Sequence, residues 1–499
     1  MSYYIGIDVG SSSTKAVVVD GDGKVVYTTL PAYAFATPKP GWAESNPEDW
    51  WQAAVKALRA VTSKYPADQI AGIGLTGQMH GLVLLDKAGK VLRPALMWND
   101  QRTAEECAEL TAKVGADKVL EVTGNPILTG FTAPKIAWVQ KHEPEVWDQV
   151  EKILLPKDYI RFCLSGGFFS EVSDASGTSL LDVGQRDWSP LMLEACGVKR
   201  SMLPELTEST AASTQVNAEA AAATGLNEGT PIIAGGGDQA AGAVGCGIVK
   251  PGVVSATLGT SGVVFAHSET YQPEPQGRLH AFCAAVPGKW HYMGVQLSCA
   301  GSFQWFHDKL GASRSFKEID ALAATAPAGS EGLLFLPYLS GERTPHPDPD
   351  ARGAFIGLSL RHSEAHLARS VLEGVAFGLR DGLELIRGLG VEPSEIVISG
   401  GGAKSVLWTQ ILADIFKTPM VRVTSTDGAA YGAALLAAVG TGAFDSVETA
   451  CEAWVKEVDR VEVGNDTAAY DAYYGEFAQL YPALQTRFAS LARTVEAHS

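Results

Sequence analysis

Two apolar strands about 250 residues apart each break into a short turn of glycine and hydroxyl side chains and resume as a second apolar strand: IGIDVGSSSTKAVVVD at 5–20 and ATLGTSGVVFA at 256–266. Such a reversal fixes a strand pairing and turns backbone N–H groups outward as an anion nest. Gly10 and Gly259 are expected at φ > 0 in the two reversals. Hydroxyls of Ser11, Ser12, Ser13, Thr260 and Ser261 add donors around them. One such turn could be only a turn. Two of them, the first preceded by Asp8 in an otherwise apolar strand, point to paired half-sites around one phosphate tail. A buried carboxylate needs a partner. For Asp8 the economical one is a hydrated Mg²⁺, which takes one or two carboxylates beside nucleotide phosphates.

A chain of 499 residues exceeds what one hydrophobic core normally holds. We expect two α/β units, 1–250 and 251–465, each opening with its own hairpin and each a mixed sheet flanked by helices, joined where Pro251 and Gly252 follow a glycine-rich stretch. The first unit should carry strands at 3–9, 14–19 and 25–30. A helix should follow, capped by Asn46, started by Pro47, and showing Trp51, Val55, Leu58 and Thr62 on one face. The last segment, 466–499, reads as a helix with Tyr470, Tyr474, Phe477 and Tyr481 on one face, free to return to either unit. A net charge of −17 without clustered Lys and Arg argues against a nucleic-acid partner. Seven scattered cysteines without a CxxC pair suggest reduced thiols in a cytoplasmic protein. Neither a signal peptide nor a membrane span is expected, because no basic or apolar leader and no long uninterrupted apolar run is present.

The most pointed chemistry lies in PIIAGGGDQAAGAVG at 231–245, where a buried strand runs into three glycines and then Asp238. Asp is a common helix N-cap. Three glycines, however, let a ligand approach the main chain, and a carboxylate aimed into that space can accept a hydroxyl proton. Phosphoryl transfer through a loose transition state asks more for positioning than for basicity. Met79 and His80 in TGQMHG, at 76–81, offer an apolar surface and an imidazole to a polyol. WNDQR at 98–102 adds Trp98, Asn99, Asp100 and Arg102, a set suited to a polyhydroxylated ligand, although it also reads as a charged loop over a Trp anchor. Gly400, Gly401 and Gly402, between a strand and a helix capped by Ser405, could let a flat ring or a phosphate sit against the backbone.

Taken in order, TGQMHG, WNDQR, GFTAPKIAWVQKH at 130–142, GGGD at 235–238, FLPYLSGERTP at 335–345, GAFIGLSLRHSEAHLARSVLEG at 353–374 and SGGGAKS at 399–405 resemble the FGGY family of carbohydrate kinases over nearly the whole chain. The resemblance implies two ribonuclease-H-like, actin-like ATPase domains around a deep interdomain cleft that closes on binding, with sugar held mainly by the first and ATP by the second. It implies Asp238 as catalytic base, Asp8 as the Mg²⁺-associated carboxylate, and Met79 and His80 as sugar contacts. Ser11, Ser12, Ser13, Lys15, Thr260, Gly401, Gly402 and Ser405 fall within its nucleotide motifs. Gln239 stands where many relatives carry Asn, and Gln101 where Gly is common. The MHG and WND elements favour D-xylulose, phosphorylated at its 5-hydroxyl, among the pentuloses. Another ketose or polyol, such as ribulose, gluconate or glycerol, is the alternative, and assembly as a homodimer is left open. A non-catalytic actin-like ATPase would account for the hairpins alone.

Overall fold

The computed structural model describes residues 2–311, 314–424 and 427–498, and its core is two large mixed sheets. The first contains β1 (Tyr3–Val9), β2 (Thr14–Val19), β3 (Val25–Thr29), β4 (Ile70–Gly77), β5 (Ala212–Gln215) and β6 (Pro231–Gly237) in the order β5-β6-β4-β1-β2-β3. The second contains β7 (Val253–Leu258), β8 (Gly262–Ser268), β9 (His280–Cys283), β10 (Trp290–Gln296), β11 (Glu395–Ser399), β12 (Met420–Val423) and β13 (Glu457–Val461) in the order β9-β10-β8-β7-β11-β12-β13. The duplication expected from the two hairpins is present in the pairing itself. Reading β3-β2-β1-β4-β6 against β10-β8-β7-β11-β12, each set has two antiparallel junctions followed by two parallel ones. The chain is thus a doubled α/β fold of actin-like architecture, and the parallel centre of each sheet ends in a turn at the same edge as its hairpin.

Central strands carry helices on both faces and are therefore apolar in nearly every position rather than alternating. On one side of β1 and β4 lies the helix Pro47–Thr62, started by Pro47 and capped by Asn46, whose side chain accepts from the Glu48 N–H. The expected apolar stripe is displaced by one residue: Trp50, Ala54, Leu58 and Val61 are fully buried, while Trp51 and Val55 lie at the margin. Trp50 wins the core position because its indole N–H finds the buried Ser45 hydroxyl at 2.9 Å.

The other face of the first sheet is covered by the helix Gly428–Gly440, encoded late in the chain. It lies within 251–465 in sequence yet packs on the first sheet. This helix and the next, Val447–Trp454, join the core of Tyr4, Val17 and Val19, because their small residues allow backbone-to-backbone approach. A Cβ on Gly74 would sit 1.9 Å from the Ala433 carbonyl oxygen, and one on Gly6 1.8 Å from that of Ala430. Gly74→Val should accordingly destabilise the protein by about 1–3 kcal/mol or more through overpacking, read as a lowered urea midpoint. An unchanged midpoint would mean the helix can slide away at no cost. The C-terminal helix Thr467–His498 returns to the second sheet, burying Tyr470, Phe477, Tyr481 and Phe488 there. Among the described residues no helix is long and apolar enough to cross a membrane, and all seven cysteines are free thiols.

Candidate active site

The first turn is built on the end of β1, where Gly10 N donates to Ser13 O at 3.0 Å and the Gly10 carbonyl accepts from Tyr33 Oη at 2.6 Å and Gln78 Nε2 at 3.2 Å. Ser11 Oγ donates to Gln78 Oε1 and accepts from Trp98 Nε1 at 2.9 Å, so Trp98 braces the turn with its indole N–H while its ring stays exposed. The Ser12 side chain faces solvent, and its carbonyl accepts from Tyr33 N. The second turn is held by Gly259 N to Ser261 O at 3.1 Å, and it is tied through the Thr260 carbonyl to the start of the helix Ala300–Lys309. Thr260 and Ser261 are exposed. Neither Gly10 nor Gly259 adopts a positive φ. Glycine suits these positions for space instead, since a Cβ would lie 3.1 Å from Ser13 O and 3.3 Å from Ser261 O, respectively. Lys15 pairs with Asp427 at 2.8 Å, linking the first hairpin to the start of the helix Gly428–Gly440.

Of the three glycines after β11, only Gly401 borders open space: a Cβ there would meet nothing. Gly400, at φ 88°, is pressed against the Leu258 carbonyl, and Gly402 against Leu258 and Trp408. This vacancy beside the main chain is where a flat ring can lie. Ser405 is committed elsewhere, capping the helix Val406–Phe416 through Trp408 N at 2.9 Å and donating to Asp320 at 2.6 Å, so its hydroxyl supports the loop rather than facing a nucleotide.

WNDQR divides in the same way. Asp100 is fully buried and accepts from Ala43 N at 2.7 Å and from Arg102 Nη2 at 2.7 Å. Arg102 also reaches Glu44 at 2.8 Å and lies 3.5 Å over the Trp42 ring. Both were expected to meet the sugar. The interactions they make are instead with the protein. Arg102 Nη1 and Asn99 Oδ1 are both left without a hydrogen-bond partner among the described residues.

His80 is locked in place from four directions. Its backbone has φ 69°, uncommon for a non-glycine residue. Its carbonyl accepts from Thr132 Oγ1 at 3.1 Å and Lys135 Nζ at 2.9 Å, and its ring stacks on Phe131 at 4.5 Å. Nδ1 lies 2.6 Å from the Gly177 carbonyl, which can only accept, so Nδ1 carries the proton. Burial, with the nearby positive charges of Lys135 and Arg343, lowers the imidazole to about 3. The ring is therefore neutral, and Nε2 presents a lone pair that can only accept a hydrogen bond. Met79 fills the gap beside it, since Cβ atoms on Gly177 and Gly237 would lie 3.1 Å from its Cε and 2.9 Å from its Sδ.

That contact leads directly to Asp238. β6 pairs with β4 through a bulge at Gly235, whose φ is 76° and whose Cβ would fall 1.6 Å from Leu75 O. Arg161, buried beneath, donates to the Ala234 carbonyl at 2.5 Å. After the bulge the strand ends at Gly237, and Asp238 opens the helix Asp238–Gly245 at the surface of the cleft. Burial and then the charge of Asp8 push the Asp238 carboxyl up to about 7, and burial pushes Asp8 up to about 6 against the pull of Lys15. The Asp8 charge thus bears on Asp238, and the residue before Asp238, Gly237, packs against Met79, the neighbour of His80. Gln239 is exposed next to Asp238, and its amide favours the ionised form of that carboxyl.

Across residues 3–245 this chain matches the N-terminal domain, and across 254–441 the C-terminal domain, of the FGGY family of carbohydrate kinases. The chain belongs to that family. A xylulose kinase of Escherichia coli (strain K12) is 42% identical over 482 residues, 96% of this chain and 99% of that one. One from Klebsiella pneumoniae is 45% identical over 437 residues, 87% of this chain and 89% of that one. A crystal structure of a xyloylose kinase from Brucella ovis superposes with a TM-score of 0.92 at 39% identity, covering 97% of this chain and 99% of that one. This kinase is therefore a phosphotransferase with an alcohol acceptor and ATP as donor.

Several groups around the kinase's cleft carried no role in the sequence reading. Phe131, Thr132 and Lys135 belong to GFTAPK and serve to hold His80. His280 and Phe282 on β9 extend the aromatic stack from the other half of the chain, with Phe131 to His280 centroids 6.0 Å apart. Arg343, from FLPYLSGERTP, is exposed, and its charge is felt by His80 and His280; among the described residues it has no ion-pair partner. No spacing rule signals these placements, because each depends on a contact between distant segments.

Proposed function

We propose that this kinase transfers the γ-phosphoryl group of ATP to the 5-hydroxyl of D-xylulose, giving D-xylulose 5-phosphate. The observation that carries the reading is that Gly237, the residue before Asp238, packs against Met79 beside His80, so a proton acceptor and a polyol-binding imidazole lie on neighbouring segments; the xylulose kinases among its relatives supply the sugar. Asp238 orients the attacking hydroxyl and takes its proton late, as the bond from the sugar oxygen to phosphorus forms and the bond to the bridging oxygen of ADP breaks. His80 Nε2 accepts from another hydroxyl, and Met79 lies under the carbon face. Trp98 holds the first turn in shape through Ser11, leaving the exposed Ser12 hydroxyl and the Thr260 and Ser261 hydroxyls for phosphate oxygens, with the adenosine against Gly401.

Asp8, at the end of β1 with its carboxyl pushed up to about 6 and its charge felt by Asp238, fits a Mg²⁺ that keeps most of its waters. Such an ion neutralises charge on the phosphate oxygens when bound. A carbohydrate kinase that draws on ATP fits the cytoplasm.

A panel of ketoses and polyols with ATP and Mg²⁺, product followed by ³¹P NMR, tests the substrate. D-Xylulose should give the highest kcat/KM; a preference for ribulose, gluconate or glycerol would overturn the assignment. His80→Ala should raise the sugar KM about three- to tenfold, the worth of a neutral hydrogen bond, with the ATP KM unmoved. Because the imidazole is already neutral, the ratio of wild-type to variant sugar KM should stay constant between about pH 5 and pH 8. A ratio that grows as the pH falls would mean that the protonated ring binds the sugar.

A further inference from the structure

The short segment 171–178 touches everything that the proposed chemistry must align. Ser173 is fully buried, and its Oγ accepts the Gly237 N–H at 3.1 Å, on the residue before Asp238. Four residues on, the Gly177 carbonyl holds the Nδ1 proton of His80 at 2.6 Å. Between them, Ser176 Oγ accepts the Cys283 N–H of β9 at 3.0 Å, so the same segment meets the second sheet.

Its own position is over-determined. Glu171 caps the turn Val172–Ala175 with both carboxylate oxygens, accepting from Ser173 N at 2.6 Å and Asp174 N at 2.8 Å, and it also takes the Ser209 hydroxyl at 3.0 Å. Behind it Lys157, with no exposed surface, lies 2.7 Å from Asp158, 3.2 Å from Asp174 and 3.5 Å from Glu171. Lys157 thereby ties the segment to the helix that carries Asp158, while neither Asp174 oxygen finds a hydrogen-bond partner among the described residues.

We propose that Ser173 is a positioning residue for phosphoryl transfer: it fixes the main chain in front of Asp238 while Gly177 fixes His80, so one rigid segment sets the spacing of base and acceptor imidazole. Two loops that were each separately mobile would have to be ordered at every turnover. A misplacement of about 1 Å can cost about 10²-fold in rate. The proposal rests on Asp238 being the base.

Ser173→Ala should lower kcat about tenfold, leave the KM values for sugar and ATP within about twofold, and leave the midpoint of the acid limb of kcat where it is, since Ser173 does not touch the carboxylate. A purely structural role would move the KM values and the thermal midpoint together instead. Wild-type kcat in Ser173→Ala, or loss of kcat only in step with KM and melting temperature, overturns the proposal. Ser173→Cys, with a weaker acceptor of similar shape, should fall between the two, and no recovery relative to alanine also counts against it. Asp238→Asn measured alongside separates the two ideas: if it keeps turnover, the base assignment fails; if it loses turnover while Ser173→Ala does not, only the positioning role fails.

Discussion

Asp238→Asn is expected to lose about 10²–10⁴-fold in kcat, the range general base catalysis supplies, while calorimetric binding of sugar and nucleotide changes little. Asparagine keeps the shape of the site and removes only the proton acceptor. The wild-type acid limb should lie near the raised value of Asp238, about 7, with turnover falling as the pH drops through it and the base becomes protonated. Near-normal kcat in the variant would remove Asp238 from the mechanism. The same shift has a consequence for stability. The folded state holds this proton more tightly than the unfolded chain, whose carboxyl titrates near 3.8. The contribution to stability is therefore fully present below that value and is lost as the pH rises to about 7. Above it, the wild-type protein keeps an ionised carboxylate in a half-buried site beside Asp8. Asp238→Asn should thus melt at a higher temperature than wild type at about pH 8, and the gain should vanish toward about pH 4. An identical melting temperature at both pH values would contradict the raised carboxyl.

Lys157→Met is expected to be the most destabilising of the simple substitutions, by about 3–5 kcal/mol, read from urea unfolding. Burial alone would lower the ammonium pKa, but Asp158, Asp174 and Glu171 hold it charged. Methionine fills similar volume and leaves those carboxylates with only Arg161, 3.8 Å from Asp158, as a cation. The site should suffer as well, because Glu171 caps the segment that carries Ser173 and Gly177. A loss below about 1 kcal/mol would mean that the cluster rearranges or neutralises without cost. These two predictions separate chemistry from scaffold: the first variant should fold better at high pH and fail to catalyse, the second should fail first in folding.

Asp8, the two hydroxyl turns and Asp238 behind its glycines were legible in the sequence because each signal is local: a strand, a turn residue, a polar group where an apolar one is expected. The pairing of β1 with β2 and of β7 with β8 followed from the same pattern. Where local composition was the only guide, roles were exchanged. Asp100 and Arg102 look like ligand contacts in a row of polar residues, yet they form a buried pair under Trp42. Ser405, the expected helix cap, is that cap, and its hydroxyl is also taken by Asp320. His80 stands out in the sequence, but which of its ring nitrogens carries the proton depends on the Gly177 carbonyl, 97 positions away.

By itself the sequence determined the duplicated strand-turn-strand units and placed Asp8 before the first turn and Asp238 behind three glycines, because hydrophobic periodicity and glycine act within a few residues of themselves; the family followed from motifs in their order. Tertiary structure alone decided which polar groups were consumed by the scaffold and which were left for a ligand. It also decided that the helix Gly428–Gly440 would cover the first sheet. The reason is physical: hydrogen bonds, ion pairs and the desolvation that shifts a carboxyl depend on distance in space, and residues 8, 80, 177 and 238 acquire theirs only when the chain has closed.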